Sequence, residues 1–228
     1  MRRRAFSLAE MLLAMALLST ALVATFSIFD MGQRTFQYTS LRQGLQAEAR
    51  RISLQVQQDI RLSHMGTVSP RARSLNLVIP GWESQGAQPY ERDALCMAGV
   101  RDWSQPASVD AVTGFPNYNC FLLYYATSAP EGQLIRQVLV PPSVGTIPHT
   151  TYALNDNPAL NPHAVGPARI LSRQVLSLKI NSTATLGLVE FNLRLRSRGG
   201  MRPGTSKRTD ETYQVLLKVK PENTYPKL

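Results

Sequence analysis

Glu10 is the first residue whose type and place need a chemical explanation. It stands near the start of an apolar run that continues to Phe29, behind Arg2, Arg3 and Arg4. Between Phe6 and Phe29 the other polar side chains are Ser7, Ser19, Thr20, Thr25 and Ser27, each able to bond back to a helix carbonyl. As a helix this stretch is about 36 Å long, enough to cross a hydrocarbon core of ~30 Å. A charged side chain at depth costs about 2.5–3.5 kcal/mol on insertion scales, so an acid kept there points to a function.

Little else in the chain suggests catalysis. His64, His149 and His163 have no metal-ligand spacing with one another or with the cysteines, and no phosphate loop, serine elbow or carboxylate pair stands out. The chain therefore reads as the substrate of an enzyme rather than an enzyme, with no cofactor and no metal. Asp93, Asp102 and Asp110 lie in a turn-rich segment and are expected to be solvated. Cys96 and Cys120 fall in the part expected outside the cytoplasm, where a disulfide between them is the preferred reading. Arg194, Arg196, Arg198, Arg202, Lys207 and Arg208 form a basic segment on a strand's exposed face and the loop after it. It reads as a solvated hairpin tip or as a contact for DNA phosphates, the latter marked by a steep salt dependence. No aromatic residue interleaves with these arginines, so base stacking is not indicated.

The order of basic leader, small residue, Phe, then Glu five positions into an apolar helix resembles the class III signal of type IV prepilins and pseudopilins. That resemblance implies cleavage between Ala5 and Phe6 by a prepilin peptidase and N-methylation of Phe6. Ala5 stands where the family usually has Gly. Glu10 would be the fifth residue of the mature chain and the assembly residue. The new ammonium on Phe6 needs a counter-charge as much as Glu10 does. The two are one helical turn apart, so they could pair within a chain; the family account pairs Glu10 of an incoming subunit with the amine of its neighbour.

Two other readings share the topology. A secretory signal peptide would be cut after Ser19-Thr20-Ala21, but Glu10 interrupts its apolar region and the run continues past Ala21. A simple signal anchor would keep the arginines in the cytoplasm and have no use for Glu10. In each case the bulk of the chain lies outside the cytoplasm. The anchor reading makes it a single-pass inner-membrane protein; the pilin resemblance places it in an extracytoplasmic filament after assembly.

The elements that must position these residues follow from periodicity. Tyr38, Leu41, Leu45, Ala49, Ile52, Val56 and Ile60 recur at steps of three and four, which predicts one helix from about Phe6 to His64. Its first half, 6–29, is apolar all round, and its second, 30–64, is amphipathic. Gly32 and Gly44 are its weak points, at about 1 kcal/mol each against Ala, and no proline kinks it. Residues 65–168 hold twelve of the fifteen prolines, so they read as a loop-rich middle with short β runs at 75–79, 121–126 and 134–140. The stretch 148–167 reads as an excursion over the surface. Period-two alternation around Leu176–Ile180, Val189–Arg196 and Tyr213–Lys220 predicts three strands in an antiparallel meander within 169–220.

The expected fold class is α+β, a long N-terminal helix whose stripe covers an antiparallel sheet. This is the pilin-like architecture. Residues 1–5 form the leader, and 65–228 form the head. The formal charge of +10 falls to +7 without the leader arginines, a basic balance that favours acidic partners without specifying one. The segments Gln55–Arg61 and Ile170–Leu178 resemble PilW-type minor pilins and the J-type minor pseudopilins of type II secretion. That likeness implies a larger subunit near a filament tip. Its expected partners are other pilin or pseudopilin subunits, the prepilin peptidase, the inner membrane and, in a transformation pilus, DNA.

Mass analysis of the membrane-extracted chain is expected to find N-methylated Phe6 as the first residue. Recovery with Arg2–Arg4 attached, or with a terminus near Ala21, would rule out the processing site.

Overall fold

The computed structural model describes residues 7–140, 154–183, 187–201 and 208–222. One helix, α1 (Leu8–Leu62), runs unbroken through Gly32 and Gly44 for about 80 Å at ~1.5 Å per residue. Its bounds match the expected helix to within two residues. Ser63 turns extended and ends it, its N–H bonding to the Ile60 carbonyl.

The strands are β1 (Ser69–Arg71), β2 (Ser74–Leu77), β3 (Gln88–Glu91), β4 (Ala94–Gly99), β5 (Cys120–Ala126), β6 (Gly132–Leu139), β7 (Arg169–Thr183), β8 (Leu188–Met201) and β9 (Arg208–Val219). Seven form a sheet in the order β1-β4-β5-β6-β7-β8-β9, all antiparallel, while β2 and β3 form a separate ribbon. The fold is α+β: one long N-terminal apolar helix and a large antiparallel sheet. Pro70 sits in the edge strand β1, where its missing N–H does least harm to the ladder.

Helix α1 lies mainly on β8 and β9 and reaches β4 and β7. Of the expected stripe, Leu45, Ala49, Ile52, Val56 and Ile60 are buried; Tyr38 and Leu41 are only half-buried as the helix leaves the sheet. They pack against Leu95, Met97, Tyr124, Phe191 and Leu193. The meander β7-β8-β9 is the one expected. A bulge at Val175 explains why Val175 and Leu176 are both buried there, whereas Leu178 and Ile180 alternate with less buried neighbours.

The middle of the chain contributes more than the short β runs expected of it. Strand β4 escaped the sequence reading because it is buried on both faces, so Ala94-Leu95-Cys96-Met97-Ala98-Gly99 shows no polar alternation. The second face of the sheet carries Ala94, Cys96, Leu123, Tyr125, Ile135 and Leu139. The described part of the surface excursion covers it, packing Leu154, Ala164 and Ala168 onto that cluster. Buried Asn161 secures this cover by donating to the Gln137 Oε1 at 2.7 Å and the Tyr125 hydroxyl at 2.9 Å. Pro141, Pro142 and the start of the excursion lie outside the described residues.

Two expectations need correction here. Cys96 and Cys120 are buried thiols, not a disulfide. Cys96 pairs in register with Leu123, and Cys120 with Gly99, so three residues separate them along the ladder. That is about 10 Å, beyond the ~7 Å Cα limit of a disulfide, and the odd offset sends their side chains to opposite faces. Burial pushes the Cys96 thiol up to about 12 and the Cys120 thiol up to about 11. Asp93 is not solvated but buried, accepting the Arg73 N–H at 2.9 Å and the Ile180 N–H at 2.8 Å. It ties the β2–β3 ribbon to β7. Asp102 is exposed and Asp110 half-buried, and they close short turns on Ser104, Val112 and Thr113.

Arg92 is fully buried beneath the β5–β6 hairpin, donating from Nη2 to the Ala129 and Pro130 carbonyls at 3.3 and 3.2 Å. Burial, then the neighbouring Arg73 charge, lowers its pKa to about 10. A Cβ on Gly132 would come within 1.4 Å of the Arg92 Nη1, so only glycine fits. Gly132→Ala is expected to lower stability by about 1–3 kcal/mol. Gly44→Ala, with open space around its Cβ, should be neutral or stabilise by up to about 1 kcal/mol. Urea unfolding of the detergent-solubilised chain, followed by Trp82 and Trp103 fluorescence, checks both signs.

Candidate functional site

The first turn of α1 holds the residue that sequence chemistry singled out. The Glu10 carboxylate accepts the Ser7 N–H at 2.9 Å, and the Glu10 N–H donates to the Ser7 Oγ at 3.3 Å. This reciprocal capping box satisfies two backbone donors that a helix start otherwise leaves open. Glu10 therefore has a local partner that the sequence reading did not give it. Ala5 and Phe6, the expected processing site, lie outside the described residues.

Beyond Glu10 every side chain to Phe29 is exposed, including Leu12, Leu13, Leu17, Leu18, Phe26 and Phe29. The helix carries a window of mean hydropathy 2.2, none of it buried within the chain, and is long and apolar enough to cross a membrane. Three of the five expected hydroxyls bond back to helix carbonyls: Ser19 donates to the Met15 carbonyl at 2.8 Å, Thr20 to Leu17 at 2.8 Å and Thr25 to Ala21 at 2.9 Å. The segment thus shows an almost wholly apolar surface to its surroundings, with one carboxylate at its head.

The far end of α1 is fixed by a charge cluster that the sequence did not reveal. Asp59, 7% exposed, lies in the seam with the apolar stripe. The Arg136 Nε donates to its Oδ2 at 2.7 Å, the Tyr124 hydroxyl donates to the same oxygen, and the Gln55 Nε2 reaches Oδ1 at 3.3 Å. Burial first, and the Asp59 charge next, raise the Tyr124 pKa well above the ordinary phenol, so it remains a donor. Further bonds hold the same end. Arg51 donates to the Leu171 carbonyl at 3.0 Å, the Tyr118 hydroxyl to the Leu62 carbonyl at 3.3 Å, and the Glu222 N–H to the Arg61 carbonyl at 3.0 Å. The signal in the sequence is the place of Asp59 three residues after Val56 and seven after Ile52, on the buried stripe.

The row of exposed arginines expected along β8 is also corrected. Arg194 is exposed, but Arg196 is 6% exposed and stacks its guanidinium 4.4 Å from the Trp82 ring centre. Arg196 pairs with Asp210 at 2.6 Å, and Arg198 pairs with Glu131 at 3.1 Å. The physical cause is remote in sequence: the turn between β2 and β3 brings Pro80, Gly81 and Trp82 over that face. An aromatic ring does meet these arginines, but from a segment over a hundred residues away. Arg208 begins β9, its backbone paired in register with Met201. Arg202 and Lys207 lie outside the described residues.

Comparison of the chain with family models, with curated proteins and with solved structures yields no match.

Removing one member of the buried Asp59–Arg136 pair strands the other. Asp59→Asn is expected to cost about 3 kcal/mol, while Asp59→Leu with Arg136→Met should recover most of that loss. A double-mutant cycle on urea midpoints measures the coupling; additive single losses would show that the pair does not act as a unit.

Proposed function

We propose that this chain is a filament subunit of the type IV pilin and pseudopilin class, assembling through Phe6–Phe29 with Glu10 as its docking charge. The observation that carries this reading is the apolar half of α1. Its side chains are exposed, the described residues of the head do not cover it, and it continues without a break into the seam on the sheet. Such a surface requires either lipid or the matching helices of other subunits, and a subunit of this class uses the first before assembly and the second after it. The likeness to minor pilins and minor pseudopilins suggests a place near the tip. Prepilin peptidase would be the processing enzyme, and the inner membrane the site of storage.

One observation favours a second reading, a simple membrane anchor bearing a binding head. The capping box gives Glu10 a use that needs no other subunit. Magnitudes separate the two. A cap contributes about 1 kcal/mol, whereas a charge at depth costs about 2.5–3.5 kcal/mol. Capping alone accounts for Glu10 at the headgroup level, but not deeper, where a counter-charge from a processed amine is required. A DNA-contacting surface loses Arg196, buried against Trp82, and Arg198, half-buried and paired with Glu131, neither of which is presented to a phosphate backbone.

Glu10→Leu is expected to leave membrane insertion and head folding intact but to remove the chain from sheared filament fractions. Immunoblots of membrane and filament fractions measure this, and wild-type levels of the variant in filaments would favour the anchor reading.

A further inference from the structure

Three arginines of the head, one buried, one half-buried and one exposed, line a cavity of about 240 Å³. Its wall includes Arg173, Arg196, Arg198, Glu131 and Val175. Two register breaks meet at Val175. Its pairing with Gly132 on β6 and its pairing with Leu195 on β8 both precede a shift in the ladder. Bulges of this kind re-aim side chains and are concentrated beside functional sites. Here they open the sheet where three guanidiniums gather.

The donors of the cavity favour an anion. Arg196 spends its Nη2 on the Pro80 carbonyl at 2.8 Å and on Asp210 at 2.6 Å. Its Nε and Nη1 are buried and have no hydrogen-bond partner among the described residues. Arg173 is exposed at the rim. Against Arg173, Arg196 and Arg198 stand Glu131, Asp210 and Glu83, the last within electrostatic reach of Arg196 and Arg198, so the charges balance and it is the unpartnered Arg196 donors that call for an acceptor. Arg92 lies behind the same wall, pressed against Gly132, the register partner of Val175. Buried donors without acceptors are costly, and guanidiniums meet carboxylate and phosphate oxygens with short, charge-assisted bonds.

We propose that this cavity binds a small oxyanion, a carboxylate or phosphate group, held by Arg196 within and Arg173 at the rim. The site is independent of the filament reading, since it lies wholly in the head. Trp82 and Asp210 hold Arg196 in place in the wall, and Arg173, exposed at the rim, is the residue that can be changed without disturbing the fold.

Thermal unfolding of the detergent-solubilised full chain tests this, with sodium phosphate and sodium acetate each titrated against sodium chloride at matched ionic strength. Saturable stabilisation by one of the oxyanions is expected, about 3 °C at ten times its Kd; the salt that saturates distinguishes phosphate from carboxylate. Arg173→Gln should abolish the saturable rise while keeping the melting point in chloride, and Arg194→Gln, exposed on β8 outside the cavity, should retain it. An equal rise in wild type and Arg173→Gln, an equal loss in Arg194→Gln, or no saturation with either salt would overturn the proposal.

Discussion

The pairing of Asp59 with Arg136 and Tyr124 sets how the helix meets the sheet. An apolar stripe alone is permissive: with residues repeating every three or four positions, the helix could slide by a turn and bury a similar area. A carboxylate in that seam removes the freedom. One turn is about 5.4 Å, enough to separate Asp59 from Arg136, and a buried charge without its partner costs several kcal/mol. The pair is thus a better marker of register than of stability, because apolar replacements of similar volume would often hold the two elements together equally well.

The sheet must be covered on both faces, and two unrelated segments do so. Helix α1 covers one face of β8 and β9, where Val189, Phe191, Leu193, Leu195 and Val219 are buried in the same cluster as its stripe. The excursion from Leu154 to Ala168 and the turn between β2 and β3 cover parts of the other face. Strand β4, and most of β5, consequently face apolar neighbours on both sides. The prolines and asparagines that make the middle of the chain look irregular belong largely to these covers and the connections leading to them.

This division explains what was legible in the sequence. Local periodicity announced α1 and the C-terminal meander, because each has one dry and one wet side and the pattern is written within a dozen residues. The burial of Arg196 was not legible, since a strand that alternates Leu193, Arg194, Leu195, Arg196 looks wetted on the arginine side until Trp82 arrives from another part of the chain. Cys96 and Cys120 looked like partners by elimination, whereas the β4–β5 register, which no short pattern encodes, sends them to opposite faces. The acid of Glu10 is conspicuous by its surroundings, and its bond to Ser7 follows from the capping-box spacing of a serine three residues before a glutamate at a helix start.

The uneven anchorage of α1 has a mechanical consequence. From Leu8 to Gln37 the helix has no buried residue, so it projects as a cantilever of about 45 Å at ~1.5 Å per residue. A sideways load on its free tip is multiplied along that arm and arrives first at Leu45 and Ala49, where clamping begins. An axial pull is shared instead across the whole clamped length as shear. A stalk built in this way resists traction far better than bending.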